Sequence, residues 1–453
     1  MMFDVIVLAA GKGSRMKSAL PKVLHPIAGK PMLKWATDAA AASGAQNTHV
    51  VIGFGREQVV AGMAGEPVTF AIQREQLGTG HAVAQAMENV SDVDVVVITY
   101  GDVPLLRSTT ISRLAALAAQ QQLVLLTEFL EVPDGYGRIV RAPSGGVQAI
   151  VEQKDATEEQ RRINEVNSGV MAVPATQLRE WLPKLSSSNA QGEYYLTDIV
   201  AMAAQAGVPI EAVHPSEAHE TTGVNSREQL SALERAYQRQ MAADLMADGV
   251  TILDPARIDV RGKLQAAQDV SIDVNCIFEG DVVLEAGVNI QANCIIRNAR
   301  IGANTCIEAN SIIEGSTVAA NCGVGPFARL RPGSELGENA KVGNFVEVKK
   351  SIVGAGSKIN HLSYVGDASI GKSTNIGAGV ITCNYDGVNK HRTAIGDEAF
   401  VGSNCALVAP VEIGSGVTVG AGSVVTDDVP EGNLTVARGR QKNIAGWERP
   451  KKS

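Results

Sequence analysis

The sequence predicts an α/β N-terminal domain, a long linking helix and a C-terminal parallel β-helix. Over residues 1–225, short β-rich runs alternate with helical stretches, which is typical of a Rossmann-like domain with a mainly parallel sheet. One amphipathic stretch covers 226–249. Over residues 250–453, aliphatic side chains recur every six positions, as they do when each hexapeptide supplies one strand and one turn of a β-helix.

Composition and charge exclude several classes of protein. The 453 residues allow two or three full hydrophobic cores. A formal charge of −8 argues against a nucleic-acid partner, since binding a phosphate backbone requires clustered Lys and Arg. No basic leader and no apolar run near 20 residues is present, so we expect a cytoplasmic protein without a membrane partner.

The predicted α/β domain has five strand-like runs. Ligands of such sheets bind at the carboxyl ends of the strands, so the loops that follow these runs are the candidate site. The runs are Phe3–Leu8, Thr48–Ile52, Val68–Ile72, Val93–Thr99 and Leu123–Glu128.

The linking helix has recognisable ends. Ser226 and Gln229 have the spacing of a capping box, and Gly249 is suited to end the helix. An apolar stripe from Leu230 to Leu245 follows the helical period. A helix packed on the core of the first domain is equally consistent with this pattern.

The six-residue repeat also explains the cysteines. Three hexapeptides close one coil, so residues 18 apart should stack, as Cys276 and Cys294 would on the inside. All six cysteines lie in the C-terminal half without a C-x-x-C pair. This favours reduced, core-filling thiols over zinc ligands or disulfides.

The first strand leads into a glycine-rich loop. In Leu8–Met16, Gly11 and Gly13 allow backbone N–H groups to hold phosphate oxygens. The third glycine of a dinucleotide fingerprint and the Gly-Lys-Ser/Thr ending of a Walker loop are both missing. A plain tight turn is the alternative for this loop alone.

Further polar residues follow the other strands. Lys22 adds a cation beside Arg15, Gln73 precedes Leu77–Gly80, and Asp102 ends the run Tyr100-Gly101-Asp102. This combination resembles the sugar-nucleotide pyrophosphorylases, which join a nucleoside triphosphate to a sugar 1-phosphate; Ser14 stands where many relatives have Thr. Taken singly, Lys22 could be a surface charge and Asp102 a helix cap.

Glu152, Asn167 and Gly223-Val224-Asn225 narrow the resemblance to uridylyltransferases that act on N-acetylglucosamine 1-phosphate. The resemblance implies Mg²⁺ at Asp102 and Asn225, with Mn²⁺ or Co²⁺ left open. Lys22 and Arg15 would neutralise charge, because phosphoryl transfer to an ionised nucleophile requires alignment and electrostatics but no base. The implied nucleotide and sugar residues are Leu8, Ala9, Ala10, Gly11, Lys22, Gln73, Gly78, Thr79, Tyr100, Gly101, Asp102, Gly137, Glu152, Asn167 and Asn225. Among them, the resemblance implies that Gln73, Gly78 and Thr79 select the uracil and that Gly137, Glu152 and Asn167 bind the amino sugar.

The C-terminal half departs from its repeat at two places. His361 occupies a coil position where a short polar residue would be expected. Thr382–Thr393 is an inserted loop that carries Asn384 and Tyr385. Insertions in solenoids commonly build the binding face. These residues resemble the left-handed hexapeptide-repeat acyltransferases, specifically the acetyltransferase half of a bifunctional family whose first half is the uridylyltransferase.

That resemblance implies that His361 is the general base for acetyl transfer from acetyl-CoA to glucosamine 1-phosphate. Histidine suits this role because it is largely neutral at physiological pH. Glu347 is a hypothetical partner that orients the imidazole. Implied ligands of glucosamine 1-phosphate are Arg331, Lys349, Tyr364, Asn375, Asn384 and Tyr385; implied ligands of acetyl-CoA are Ala378, Asn384, Tyr385, Ser403, Ala421 and Arg438.

The resemblance also implies a homotrimer with acyl sites between subunits, and a product, UDP-N-acetylglucosamine, that feeds peptidoglycan and lipopolysaccharide synthesis. Two alternatives stay open. One is a single-function pyrophosphorylase with a purely structural β-helix, and the other is a sugar-nucleotide-sensing regulatory protein without turnover.

Overall fold

A computed structural model describes residues 1–450 and 452. The chain divides into two compact units, Met1–Ala236 and Tyr237–Ser453. The division falls inside helix Arg227–Ala247, which lies within the predicted linking stretch. No helix of the described part is long and apolar enough to cross a membrane.

The first unit is built on one mixed sheet. The strands of this unit are β1 (Phe3–Leu8), β2 (Pro26–Ile27), β3 (Lys30–Pro31), β4 (Thr48–Ile52), β5 (Thr69–Ile72), β6 (Val95–Tyr100), β7 (Leu123–Phe129), β8 (Arg138–Arg141), β9 (Val147–Val151), β10 (Glu165–Pro174) and β11 (Ile210–Val213). Of these, β2 and β3 pair with each other in a separate two-stranded sheet. Its helices are α1 (Met32–Ala42), α2 (Arg56–Gly62), α3 (Thr79–Met87), α4 (Ser108–Ala118), α5 (Glu158–Arg161), α6 (Ala175–Trp181) and α7 (Asp198–Gln205), with 3₁₀ turns at Ser14–Met16, Lys22–Leu24 and Leu182–Lys184. The helix that contains the division between the units is α8 (Arg227–Ala247).

The strand order of the sheet is β11-β7-β10-β6-β1-β4-β5, and the hairpin β8–β9 joins it through β10. Strand β10 is antiparallel to β6 and β7, whereas β1, β4, β5 and β6 are parallel to their neighbours in this group. All six residues of β1 are buried, and separate apolar clusters cover the two faces of the sheet. This burial explains the near-continuous apolar runs of the central strands.

Sequence reasoning did not identify β10. The polar triplet Asn167-Ser168-Gly169 interrupts its apolar pattern, and the pairing with β7 shifts register between Asn167 and Met171. Bulges of this kind redirect side chains near functional sites. Here the bulge carries a predicted sugar-binding residue, Asn167.

The second unit is a parallel β-helix, as predicted. One sheet stacks Thr251–Ile252, Ser271–Ile272, Asn289–Ile290, Cys306–Ile307, Gly323–Val324, Lys341–Asn344, Lys358–His361, Asn375–Ile376, Phe400–Val401, Thr418–Val419 and Leu434–Thr435. The other sheet stacks Ile258–Ala266, Cys276–Leu284, Ile295–Arg297, Arg300–Ile301, Ile312–Glu314, Thr317–Val318, Arg329–Leu330, Glu335–Leu336, Glu347–Lys349, Ile352–Val353, Tyr364–Gly366, Ala368–Ile370, Ile381–Cys383, Thr393–Ile395, Ala406–Val408, Val411–Ile413 and Val424–Val425.

The repeated aliphatic residues form one continuous core inside the coils. All six cysteines are free, and Cys276 and Cys294 are buried in this core. Burial raises the pKa of the Cys276 thiol to about 11 and that of Cys294 to about 12. Both thiols are therefore protonated at neutral pH, in agreement with the predicted role as core filler.

Candidate active sites

A pocket of about 280 Å³ opens at the carboxyl ends of β1, β5 and β6 in the first unit. This is where a ligand of a parallel sheet is expected. Ten of the predicted residues line it: Leu8, Ala9, Ala10, Gly11, Lys22, Gln73, Gly78, Thr79, Tyr100 and Asp102. Sequence reasoning missed four further lining residues, Val23, Gln76, Ala82 and Glu193.

The glycine-rich loop is shaped around Lys22. Gly13 has φ 58°, and a Cβ atom there would lie 2.6 Å from Lys22 Cβ. Both the positive φ and this close approach therefore require glycine. Gly11 faces open space, since a Cβ atom there would have no neighbour within 4 Å. Space for a phosphate group is therefore present beside the Gly11 backbone.

Lys22 brings together the two predicted metal ligands. Its Nζ donates to Asp102 Oδ2, and it lies 3.0 Å from Asn225 Oδ1. The Val224 amide donates to the Asp102 carbonyl at 2.9 Å, which holds the Asn225 segment beside β6. A carboxylate and an amide oxygen thus converge on one positively charged point.

This donor set fits Mg²⁺. The ion prefers oxygen ligands and keeps several waters, so two protein oxygens completed by phosphate and water suffice. No group of three or more His, Cys, Asp or Glu side chains suited to a metal occurs in the part of the chain that the structure describes.

A buried carboxylate that the sequence did not reveal supports the Asn225 segment. Glu220 is 1% exposed, and its carboxylate accepts hydrogen bonds from the hydroxyls of Thr110 at 2.6 Å and Ser216 at 2.9 Å. It also accepts from the amides of Glu217 at 3.0 Å and Arg107 at 3.3 Å. Glu220 therefore ties the loop before Asn225 to the start of α4, which follows the loop of Asp102.

The predicted uracil residues lie on the other side of the pocket. Gly78 has φ 109°, and a Cβ atom there would lie 2.6 Å from the Tyr194 carbonyl oxygen. The Thr79 hydroxyl accepts a hydrogen bond from the Leu196 amide at 3.1 Å. The segment of Tyr194 and Leu196 thus fixes the start of α3.

The predicted sugar residues lie on the side of the pocket where Tyr100 is found. The Asn167 amide donates to the Gly137 carbonyl at 2.9 Å, and a Cβ atom on Gly137 would lie 3.5 Å from Glu152 Oε1. A Cβ atom on Gly169, beside Asn167 in the bulge, would lie 2.5 Å from the Tyr100 ring. These residues adjoin the pocket through Tyr100, which lines it.

Burial alters the acid–base behaviour of this region. Burial raises the pKa of Glu152, and the nearby Asp155 and Asp198 raise it further, against a hydrogen bond from Thr197. Burial and the charges of Glu152 and Asp102 raise the pKa of Tyr100. The Tyr100 hydroxyl therefore stays protonated and able to donate.

The structure does not bring every predicted residue to the pocket. Arg15 is exposed on the turn Ser14–Met16 and does not line the pocket. Its catalytic role stays a prediction. Gly101 contributes through its backbone, since its amide donates to the Leu8 carbonyl at 2.9 Å and joins the two strand ends.

In the second unit, His361 is exposed and pairs in register with Asn344 of the adjacent coil. His361 Nδ1 lies 2.7 Å from Asn344 Oδ1. Because a carbonyl oxygen only accepts, Nδ1 donates and Nε2 is left as the proton acceptor. The hypothesis that Glu347 orients the imidazole is wrong: its carboxylate instead pairs with Arg331 at 2.8 Å.

His361 belongs to a column of corner residues, which we call the His361 column: Asn344, His361, Ala378, Ser403 and Ala421. Successive coils are joined there by hydrogen bonds from Leu362 N to Asn344 O (3.1 Å), Gly379 N to His361 O (3.2 Å), Asn404 N to Ala378 O (2.7 Å) and Gly422 N to Ser403 O (2.8 Å). Arg438 extends the column by donating to the Ala421 carbonyl. The predicted base and four predicted acetyl-CoA residues therefore follow one edge of the β-helix.

The predicted sugar-phosphate cations lie on a neighbouring face. Strand pairing aligns Glu347 with Tyr364 and Lys349 with Gly366, and it places Arg331 one coil before Lys349. Asn375 lies instead on the sheet that contains His361, paired with Lys358. Both faces meet at the corner between His361 and Tyr364.

The inserted loop is anchored at Asn384, which is 5% exposed. Asn384 Nδ2 donates to Asp367 Oδ2 and lies 3.5 Å from the Tyr364 hydroxyl. Beyond it, Tyr385 forms an antiparallel bridge with Lys390. Asn384 therefore connects the loop to the predicted sugar-phosphate residue Tyr364.

Fold and sites together define a nucleotidyltransferase joined to a hexapeptide-repeat transferase. Residues 5–248 match the family model of the MobA-like NTP transferase domain, and residues 392–427 match the bacterial transferase hexapeptide model of six repeats. The chain belongs to the family of bifunctional GlmU proteins. It is 58% identical to the bifunctional protein GlmU of Marinobacter nauticus over 99% of each chain, 58% identical to that of Alcanivorax borkumensis over 100% of each, and 57% identical to that of Cellvibrio japonicus over 99% of each.

The predicted class, a bifunctional transferase with an α/β domain and a β-helix, is therefore confirmed. The two alternatives, a single-function enzyme and a regulatory protein without turnover, do not fit this family. The chain matches relatives that are named bifunctional over 99% to 100% of its length.

Proposed function

We propose that the chain makes UDP-N-acetylglucosamine in two reactions. The second unit transfers an acetyl group from acetyl-CoA to glucosamine 1-phosphate, and the first unit transfers uridylyl from UTP to the resulting N-acetylglucosamine 1-phosphate. The observation that carries the proposal is the convergence of Lys22, Asp102 and Asn225 at a pocket on the strand ends. The His361 column supports the acetyl reaction independently.

In uridylyl transfer, a phosphate oxygen of the sugar attacks the α-phosphorus of UTP, and the bond to the β-phosphate breaks to release pyrophosphate. Asp102 and Asn225 would hold Mg²⁺, which when bound supplies positive charge to the phosphates. Lys22 lies next to both and adds a second cation. The nucleophile is already ionised, so these groups orient and neutralise without a base.

In acetyl transfer, the 2-amino nitrogen of the sugar attacks the thioester carbonyl. His361 Nε2 accepts the proton from that nitrogen, and the coenzyme leaves as a thiolate that is then protonated. Arg331 and Lys349 supply the charge that a sugar phosphate requires. Asn344 fixes the tautomer that leaves Nε2 free.

We further propose a cytoplasmic homotrimer. Phe327, Phe345 and Leu362 form an apolar corner beside His361, with exposed fractions of 49%, 56% and 63%. The two phenyl rings stack at 5.3 Å. Contiguous exposed apolar side chains of this kind mark protein interfaces, and the free cysteines fit a reducing compartment.

A pair of assays tests the proposal. Pyrophosphate release from UTP and N-acetylglucosamine 1-phosphate should require the pocket residues, whereas thiol release from acetyl-CoA and glucosamine 1-phosphate should require His361. Purified protein that performs only one of these reactions would contradict the two-reaction proposal. Sedimentation of the Phe345→Glu variant beside the native protein tests the trimer. The added charge at the apolar corner should weaken association, so the variant should sediment with a lower mass of the assembly than the native protein.

A further inference from the structure

The side-chain amide of Gln73 is held in one orientation in the pocket of the first unit. Gln73 follows β5 directly and is 3% exposed. Its backbone amide donates to the Ile52 carbonyl at 2.8 Å, so the residue is anchored to the end of β4. Its side chain lines the pocket.

Both hydrogens of the Gln73 amide have protein acceptors. Nε2 lies 3.1 Å from the Gly78 carbonyl oxygen and 3.1 Å from His81 Nδ1. An amide NH₂ has two hydrogens, so these contacts use both. Within residues 1–450 and 452, Oε1 has no hydrogen-bond partner, and it remains available to a ligand.

The hydrogen bond from Gln73 determines the tautomer of the His81 ring. For Nδ1 to accept from Gln73, the ring proton must lie on Nε2. His81 sits in the first turn of α3. The Gly80 amide donates to the Tyr194 carbonyl at 2.8 Å, so the position of this turn is fixed.

We propose that His81 is a positioning residue that makes the pocket selective for uracil over cytosine. With both N–H groups of Gln73 engaged, only the acceptor Oε1 faces the base. N3 of uracil carries a hydrogen and can donate to Oε1, whereas N3 of cytosine is an acceptor and meets it with repulsion. This inference rests on the proposed uridylyl transfer, and it deepens that proposal by assigning the selectivity to a residue that does not touch the nucleotide.

Two substitutions of His81 test this role. One keeps a hydrogen-bond acceptor for Gln73, and the other fills the space without an acceptor. His81→Asn places Oδ1 near the position of Nδ1 and keeps an acceptor for Gln73. His81→Leu removes the acceptor, so one buried N–H loses its partner and the opposite amide orientation becomes populated. The Gly78 carbonyl still opposes that orientation, and the effect is therefore partial.

We expect His81→Leu to lower the ratio of kcat/KM for UTP to kcat/KM for CTP by about tenfold, the size of one lost buried hydrogen bond. His81→Asn should retain most of the native ratio. Acetyl transfer by the same full-length variants should be unchanged, which shows that the second unit is intact. Thermal unfolding shows whether the first unit is still folded.

The outcomes are distinguishable. If the native protein uses no UTP, the proposed function fails. If the native protein prefers UTP and His81→Leu keeps the full preference while losing rate for both nucleotides equally, His81 is merely structural and the inference is overturned. An equal loss of preference in His81→Asn and His81→Leu would also overturn it, because the acceptor would then be irrelevant.

Discussion

Lys22 Nζ lies 3.0 Å from Asn225 Oδ1, although the two residues are 203 positions apart. The same ammonium group donates to Asp102, so one cation holds both predicted metal ligands. This contact joins the loop after β1, the loop after β6 and the segment before α8 at one place.

Asp102→Asn should lower uridylyl transfer by at least about 100-fold, because it removes the only carboxylate predicted to bind the metal. Acetyl transfer should remain close to native. Chelation by EDTA should reproduce this selectivity in the native protein. Asp94→Asn is a matched control, since Asp94 contacts the Met2 amide at 2.9 Å, away from the pocket. Equal loss of both activities on chelation would contradict the assignment.

Glu220→Ala should destabilise the first unit by about 2–4 kcal/mol, because it leaves several buried donors without their acceptor. The loop of Asn225 should loosen, so more Mg²⁺ would be needed for half-maximal uridylyl transfer. Glu220→Gln should recover part of both effects because it retains one acceptor oxygen. Thermal unfolding and a Mg²⁺ titration measure the two. An unchanged Mg²⁺ requirement in a folded Glu220→Ala protein would rule out the positioning role.

Glu152→Gln should change how stability depends on pH. Because burial raises the folded-state pKa of Glu152, the folded state favours the protonated form. Its contribution is thus fully present below the unfolded pKa and is lost as pH rises through the folded pKa. The neutral amide avoids that loss, so the variant should unfold at a higher temperature than the native chain at pH 7–8. The difference should shrink toward pH 4. A constant difference across this range would show that ionisation of Glu152 does not matter.

His361→Ala should lower kcat for acetyl transfer by roughly 10²- to 10⁴-fold, the usual contribution of a general base. Binding of glucosamine 1-phosphate should weaken far less, because Arg331 and Lys349 remain. Near-native acetyl transfer by folded His361→Ala would favour a purely structural role for this residue.

Asn344→Leu removes the acceptor for His361 Nδ1 and should lower acetyl-transfer kcat by about tenfold. Asn344→Asp keeps an acceptor of similar shape and should retain more activity. Uridylyl transfer serves as the internal control in both variants. If the two substitutions reduce kcat equally, orientation by this oxygen is not the cause of the loss.

Sequence patterns predicted the architecture because the relevant forces are local. A six-residue repeat follows directly from burying one aliphatic side chain per strand of a β-helix, and Val348 and Ile359 are fully buried as that repeat requires. The glycine-rich loop and Asp102 were predicted for the same reason, since a polar residue directly after a buried strand must lie at the edge of the sheet. Strand β10 was missed because Asn167 and its neighbours interrupt its apolar pattern at a bulge.

The sequence by itself determined the two architectures, the bifunctional family and most residues of the nucleotide pocket. Only the tertiary structure decided which side chains orient them. Asn344 contacts His361 across 17 positions, whereas the simple repeat aligns residues 18 apart. The register of the strands places Asn344 beside His361, and Glu347 accepts a hydrogen bond from Arg331 instead. Likewise, the hydrogen bonds of Glu220 and the pairing of Lys22 with Asn225 join segments far apart in the chain. Such contacts depend on how distant strands and loops pack, and no local periodicity encodes that packing.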